Sequence, residues 1–363
     1  MAGMDRETAI TPELAEVRPD ERFDESQLAE HLRGHLRGSD GPLAVQQFAR
    51  GKANLTYLLR FGEPGGPVTE YVLRRPPLGP VAPGSHDMER EYRVLSRLWR
   101  AFPLAARAFL FCDDESVIGA PFFVMERRRG VVVQGAVPPE FGNGDDAASN
   151  RKLSEVVVDT LAEFHAVDPA EAGLDGLGWP EGFMDRQLGG WIARWNKARH
   201  EPNPLVEELA DWLQKTQPPS PPATLLHNDW RLDNMAVDPD DPGVCVAVYD
   251  WDMCTRGDPF ADVGTLMGCW FDPDEDSIFL DPMPTRTPGF MTRGEAISRY
   301  GEKSGRDVSG MHWYVVFGTF KMGVILQQIY IRWLRGQTQD ERFATMGHDA
   351  ARLFELAAAR RST

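Results

Sequence analysis

The apolar period of this chain changes partway along it, and that change limits the architectures open to it. From Ala44 to Arg74 the runs AVQQFA, LTYLLRF and YVLR are strand-like and are separated by the turn-rich GEPGGP. Pro76, Pro77, Pro80 and Pro83 then forbid regular structure. HDMEREYRVLSRLW follows with Met88, Leu95 and Leu98 on one helical stripe, and ESVIGAPFFVMER reads as a further hairpin. From Leu153 the regime is helical: Leu153, Val156, Val157, Thr160, Leu161 and Phe164 lie at i, i+3, i+4, i+7, i+8 and i+11, which buries one face. The pattern predicts an α+β chain, with a small antiparallel-sheet lobe carrying one main helix and a larger, mostly helical second lobe. A length of 363 residues also favours two packed lobes over one core. The expected divisions are a polar lead-in over 1–24, an N-terminal lobe over 25–126 and a helical lobe over 127–363.

Charge narrows the partners. A net charge of -16 and a pI near 5.0 repel phosphate backbones and anionic lipid, so neither nucleic acid nor a membrane surface is expected to bind. Cys112, Cys245, Cys254 and Cys269 are scattered without a CxxC pair, which reads as a reducing, cytoplasmic setting with no disulfide or structural zinc. The N-terminal stretch has no apolar signal core. The apolar stretch from Tyr314 to Leu334 is interrupted by Lys321, Gln327 and Gln328, so a buried helix is expected there and not a membrane span.

The densest polar constellation is LLHNDWRLDNMAV, with VYDWD soon after it. His227, Asp229 and Asn234 form H-x-D-x-x-x-x-N, and Asp250 ends an apolar run. Phosphoryl transfer needs such a set, because its transition state asks for positioning and charge neutralisation more than for covalent chemistry. Asp229 is the candidate base for a substrate hydroxyl. Asn234 and Asp250 offer hard oxygens to Mg2+, and His227 is expected to brace the loop.

At these residues the chain resembles the aminoglycoside phosphotransferase and choline kinase group of the protein-kinase-like bilobal fold. HNDWRLDN and YDWDMCTRGDP are similar to its catalytic loop (225–235) and metal-binding segment (248–262). YVLRRPP, HDMEREYRVL, VIGAPFFVMER and LAEFHAVD resemble the branch associated with acyl-CoA dehydrogenases. The resemblance implies an ATP-dependent kinase, with GTP as the other candidate nucleotide, acting on a hydroxyl-bearing small molecule. It implies that Asp262 steadies the catalytic loop and that Arg74 grips phosphate in place of the usual lysine. Glu91, on the inward stripe of its helix, is the expected partner of Arg74. Register decides between Arg74 and Arg75. Gly51 and Asn54 fall in the phosphate-covering loop, which lacks the family's serine, and adenine is expected on backbone groups of Met125, Glu126 and Arg127.

Two other readings are weaker. A metallohydrolase would leave Asn234 idle and lacks a second histidine at ligand spacing. A protein kinase is disfavoured by DWD in place of DFG and by the missing APE. A nucleotide-binding pseudokinase or scaffold is the alternative function, and the intact Asp229, Asn234 and Asp250 count against it. Acceptors consistent with the sequence are hydroxyacyl or hydroxy acid compounds, favoured by the branch, and amino sugars or amino alcohols, which acidic DPDEDS (272–277) would suit.

Overall fold

The structure, a computed structural model, describes residues 14–49, 54–63, 65–79, 87–275, 278 and 283–362. The chain divides into two compact units, Met1–Arg128 and Arg129–Thr363.

The first unit is built on an antiparallel sheet of β1 (Leu14–Ala15), β2 (Leu43–Phe48), β3 (Leu55–Phe61), β4 (Thr69–Arg75), β5 (Ala108–Cys112) and β6 (Phe122–Glu126), in the order β1-β2-β3-β4-β6-β5. Alternation along β3 and β4 sends Tyr57, Leu59, Tyr71 and Leu73 to one face. There they bury against Val17, against Leu28 and Leu32 of helix α1 (Glu25–Leu32), and against Leu36. Helix α2 (Met88–Leu98), capped by the Asp87 side chain on the Arg90 amide, packs on β5 and β6 and buries Met88, Glu91, Val94, Leu95 and Leu98.

Two expectations change here. The hairpin partner of FFVME is AFLFC, residues 108–112, while ESVIG forms the turn between them. In that turn Asp114 accepts from the Ser116 amide, and Gly119 takes the positive φ that the reversal requires. The expected lead-in is also docked from Leu14 onward. β1 pairs with β2, and the Glu21 carbonyl accepts hydrogen bonds from the Arg75 guanidinium and the Tyr57 hydroxyl.

The second unit is mostly helical: α3 (Ala147–His165), α4 (Phe183–Ala198), α5 (Pro204–Thr216), α6 (Pro259–Gly268), α7 (Arg293–Ser304), α8 (Met311–Leu334) and α9 (Met346–Arg361). The face read from Leu153 to Phe164 is buried in α3, as its spacing requires. α8 is long and apolar enough to cross a membrane by length and composition, yet 78% of its most apolar window is buried inside the protein. It packs on α6 and α9. Four short strands complete the unit: β7 (Thr224–Leu226), β8 (Met235–Val237), β9 (Cys245–Val248) and β10 (Thr255–Gly257). The two strand-like runs of the sequence do not pair with each other; β7 pairs with β10, and β8 with β9.

Candidate active site

The loop after β7 is fixed by one buried carboxylate. Asp262, in the first turn of α6, accepts from the His227 amide at 2.6 Å and from the Asn228 amide at 2.7 Å. Burial by itself would raise its pKa, but the hydrogen bonds from His165 and the His227 amide hold the carboxyl below its ordinary range. Burial in turn keeps His165 below the ordinary histidine value, so a neutral ring bridges Asp262 to the Tyr300 hydroxyl. The Asn228 side chain donates to the Met253 carbonyl, and its backbone adopts φ 69, a left-handed conformation uncommon outside glycine. This turn aims the next residue, Asp229.

The His227 ring faces two backbone groups of opposite kind. Nε2 lies 2.8 Å from the Tyr249 carbonyl and Nδ1 accepts from the Asp229 amide at 3.3 Å, so Nε2 carries the proton. The imidazole is thereby committed to bracing.

The Asp229 carboxylate accepts from Asn234 Nδ2 at 2.8 Å and from Arg231 at 3.3 Å. Arg231 also pairs with Asp233 at 3.2 Å. Burial opposes the charge on Arg231, but the two carboxylates more than offset this and raise its pKa.

Asn234 and Asp250 come together through the β8–β9 hairpin. Asn234 immediately precedes β8, Asp250 lies just past β9, and the strands are antiparallel, so both residues stand at one end. The Tyr249 amide donates to the Asn234 carbonyl at 2.8 Å. Asp250 has φ 64 and ψ 60, again left-handed. An amide oxygen and a carboxylate are hard ligands suited to Mg2+, which takes few protein ligands and keeps waters and substrate oxygens. Among the described residues no group of three or more His, Cys, Asp and Glu forms a closed metal cage.

Each of these aspartates is followed by a buried tryptophan. Trp230 stacks on Phe164 of α3 with centroids 5.7 Å apart and donates its indole N–H to the Val157 carbonyl. Trp251 meets Phe164 edge-on at 5.0 Å and His227 at 4.8 Å. One aromatic cluster thus anchors both polar segments to the same helix.

In the first unit the register is decided. Arg74 pairs with Glu91 at 2.9 Å, with the Glu91 side chain fully buried. Arg75 points to the opposite face and is buried too, held by the Tyr57 hydroxyl at 2.8 Å and the Ile118 carbonyl at 3.0 Å. Asn54 is buried at the start of β3, whereas Gly51 lies outside the described residues. Met125 sits in β6 opposite Val72. The Glu126 amide donates to the Arg107 carbonyl, and Arg127 is ion-paired to Glu70.

Sequence reading passed over Arg231, His165 and Asp233. All three carried a usable signal: Arg231 and Asp233 stand inside the motif itself, and His165 is the polar end of the α3 stripe.

Known proteins resemble this chain over most of its length. The chain is 33% identical over 347 residues to acyl-CoA dehydrogenase family member 11 of Gallus gallus, covering 92% of this chain and 43% of that protein. It therefore spans less than half the length of the curated relatives that it matches. A crystal structure from Ralstonia eutropha, assigned to the aminoglycoside phosphotransferases, superposes with a TM-score of 0.79 at 29% identity and covers 94% of this chain and 99% of the other. Choline kinase from Cryptosporidium parvum shares the fold with a TM-score of 0.64 at 12% identity, over 93% and 96% of the two chains. Both neighbours have the protein-kinase-like bilobal fold. The profile of the phosphotransferase enzyme family matches residues 44–283, and the chain belongs to that family.

Proposed function

We propose that this phosphotransferase is an ATP- and magnesium-dependent kinase that moves the γ-phosphoryl group to the hydroxyl of a small molecule, with Asp229 as base. The reading rests on Asp229. The two residues before it are held by the Asp262 clamp, its own amide donates to His227, and its carboxylate is oriented by Asn234 and Arg231. The acceptor hydroxyl gives its proton to Asp229 while its oxygen forms the new bond to the γ-phosphorus and the bond to the ADP oxygen breaks. Asn234 and Asp250 would hold the magnesium ion, which when bound neutralises phosphate charge. Arg74, fixed by Glu91, takes phosphate oxygens; its guanidinium stays charged and can bond through two nitrogens.

Support for nucleotide use comes from neighbours solved with AMP-PNP or GDP. The acyl-CoA chemistry in the relatives' names favours hydroxyacyl or hydroxy acid acceptors over amino sugars. The test is ADP release from Mg-ATP over a panel of hydroxylated acceptors. Asp229→Asn is expected to lower kcat by about 10²- to 10⁴-fold, the usual contribution of a positioned base, with the fold intact. Turnover that survives the substitution unchanged removes Asp229 from this role.

A further inference from the structure

Lys321 is charged chemistry that the kinase reading does not use. It lies in the middle of α8, its residue 8% exposed. Its ammonium reaches only neutral groups: Thr265 Oγ1 at 3.3 Å and the carbonyl of Asn228, the residue before Asp229, at 3.5 Å. It also sits 5.6 Å from the centre of the Trp191 ring of α4. Arg194, one helical turn on, lies over the same ring at 4.5 Å. Among the described residues neither cation has a carboxylate within ion-pair distance, and the buried Trp191 Nε1 has no hydrogen-bond partner. Asp229, Asp262 and the Cys269 thiol act on Lys321 from farther away.

Lys321 is buried and Arg194 is exposed, so the groups left at a cost are the Lys321 ammonium and the Trp191 N–H. A buried cation without a counter-ion is costly, and a buried N–H without an acceptor adds to the cost. An anion supplied from outside relieves both, and the exposed Arg194 adds a second cation beside the same ring.

We infer that Lys321, Trp191 and Arg194 form a subsite for an anionic group on the acceptor, so that the preferred substrate carries a carboxylate or phosphate near its reacting hydroxyl. This deepens the kinase reading and rests on it for the identity of the hydroxyl. Lys321 is in this account a specificity-determining residue. Burial lowers its pKa, with Asp262 and Asp229 opposing, so the arriving anion also favours its protonated form.

The test compares acceptors that differ in charge: 3-hydroxybutyrate, its methyl ester and its amide, with glycerol 3-phosphate as the phosphate arm. The wild type should prefer the anions by about tenfold or more in kcat/KM, the range of one charge-assisted hydrogen bond. Whichever anion is preferred identifies the source. Lys321→Met should raise KM for the anionic acceptors by about tenfold and abolish the preference, with KM for ATP and kcat little changed. Lys321→Arg should restore part of it. If Lys321→Met instead lowers kcat equally for charged and neutral acceptors, the lysine only braces the Asn228 carbonyl and the subsite is wrong.

Titration of 3-hydroxybutyrate and glycerol 3-phosphate into protein without nucleotide separates this inference from the kinase reading. Tighter binding to the wild type than to Lys321→Met upholds the subsite even if nothing is phosphorylated, and equal binding to both overturns it even if turnover occurs. Trp191→Phe, which keeps an aromatic face but removes the indole N–H with its five-membered ring, repeats the comparison should Lys321→Met fail to fold.

Discussion

Arg74 and Arg75 are adjacent on β4 and show how much one residue of register decides. Arg74 is bonded to a buried carboxylate, whereas Arg75 is satisfied by a phenol and backbone carbonyls and lies against the Phe23 and Tyr57 rings. Breaking a buried ion pair from one side strands a charge, while replacing both partners with apolar groups does not. Glu91→Leu should therefore destabilise the protein by about 3–5 kcal/mol in chemical denaturation, and Arg74→Met added to it should recover most of that loss. Nucleotide binding, if Arg74 serves the phosphates, stays weak in the double variant. Recovery of binding together with stability would remove Arg74 from the proposed site. The alternation of YVLRR made two faces legible. It did not show that α1 and the segment around Glu21 cover the second face, because those contacts come from distant parts of the chain. Asp229, Asn234 and Asp250 were readable because their spacing is local; Lys321 was readable only as an interruption in an apolar helix, since its neighbours lie 93 and 56 residues away in sequence.

At the scale of elements, the Asp262 clamp on the loop after β7 depends on how closely α6 meets α8. A Cβ at Gly318 would lie 2.0 Å from the Gly264 carbonyl oxygen, and one at Gly264 would lie 2.4 Å from the Tyr314 carbonyl oxygen, so the two backbones touch. Asp258, which caps α6, is bonded to the Tyr314 hydroxyl at 2.6 Å and ties the same two helices. Gly318→Ala is expected to force α6 and α8 apart, costing about 1–3 kcal/mol in thermal or chemical unfolding. Because α6 carries Asp262 and α8 carries Lys321, acceptor KM and kcat should shift with stability. A variant as stable and as active as the wild type would show that the helices separate freely. Helix positions were legible from period alone, but the short strands were not fully so. AFLFC lacks the alternation that marks a half-buried strand, and β8 and β10 have three residues each, too few for a period to show.

Across the whole molecule, 55 acidic against 39 basic residues make protonation a general relief of self-repulsion, so acid sensitivity must come from particular carboxylates. Glu275 is the strongest candidate. Burial would raise its pKa, but Arg360 and Arg293 bring it from an ordinary 4.5 to about 2. Arg360 near the C-terminus reaches it at 2.9 Å and also bonds the Trp270 and Gly268 carbonyls, which joins α9 to the segment after α6. A carboxyl depressed in the folded state gives stability that is complete above its unfolded value and is lost as pH falls through the folded one. Asp258, raised by burial, has the opposite sign: its contribution is present at low pH and is lost as pH rises. The wild type and Glu275→Gln should therefore differ most at neutral pH. The gap between their urea midpoints should narrow steadily from about pH 4.5 toward pH 2, because protonated glutamate and glutamine serve the two arginines alike. Asp258→Asn, measured the same way, should move its gap in the other direction. A Glu275→Gln gap that stays constant with pH would mean that this glutamate holds α9 by shape and not by charge.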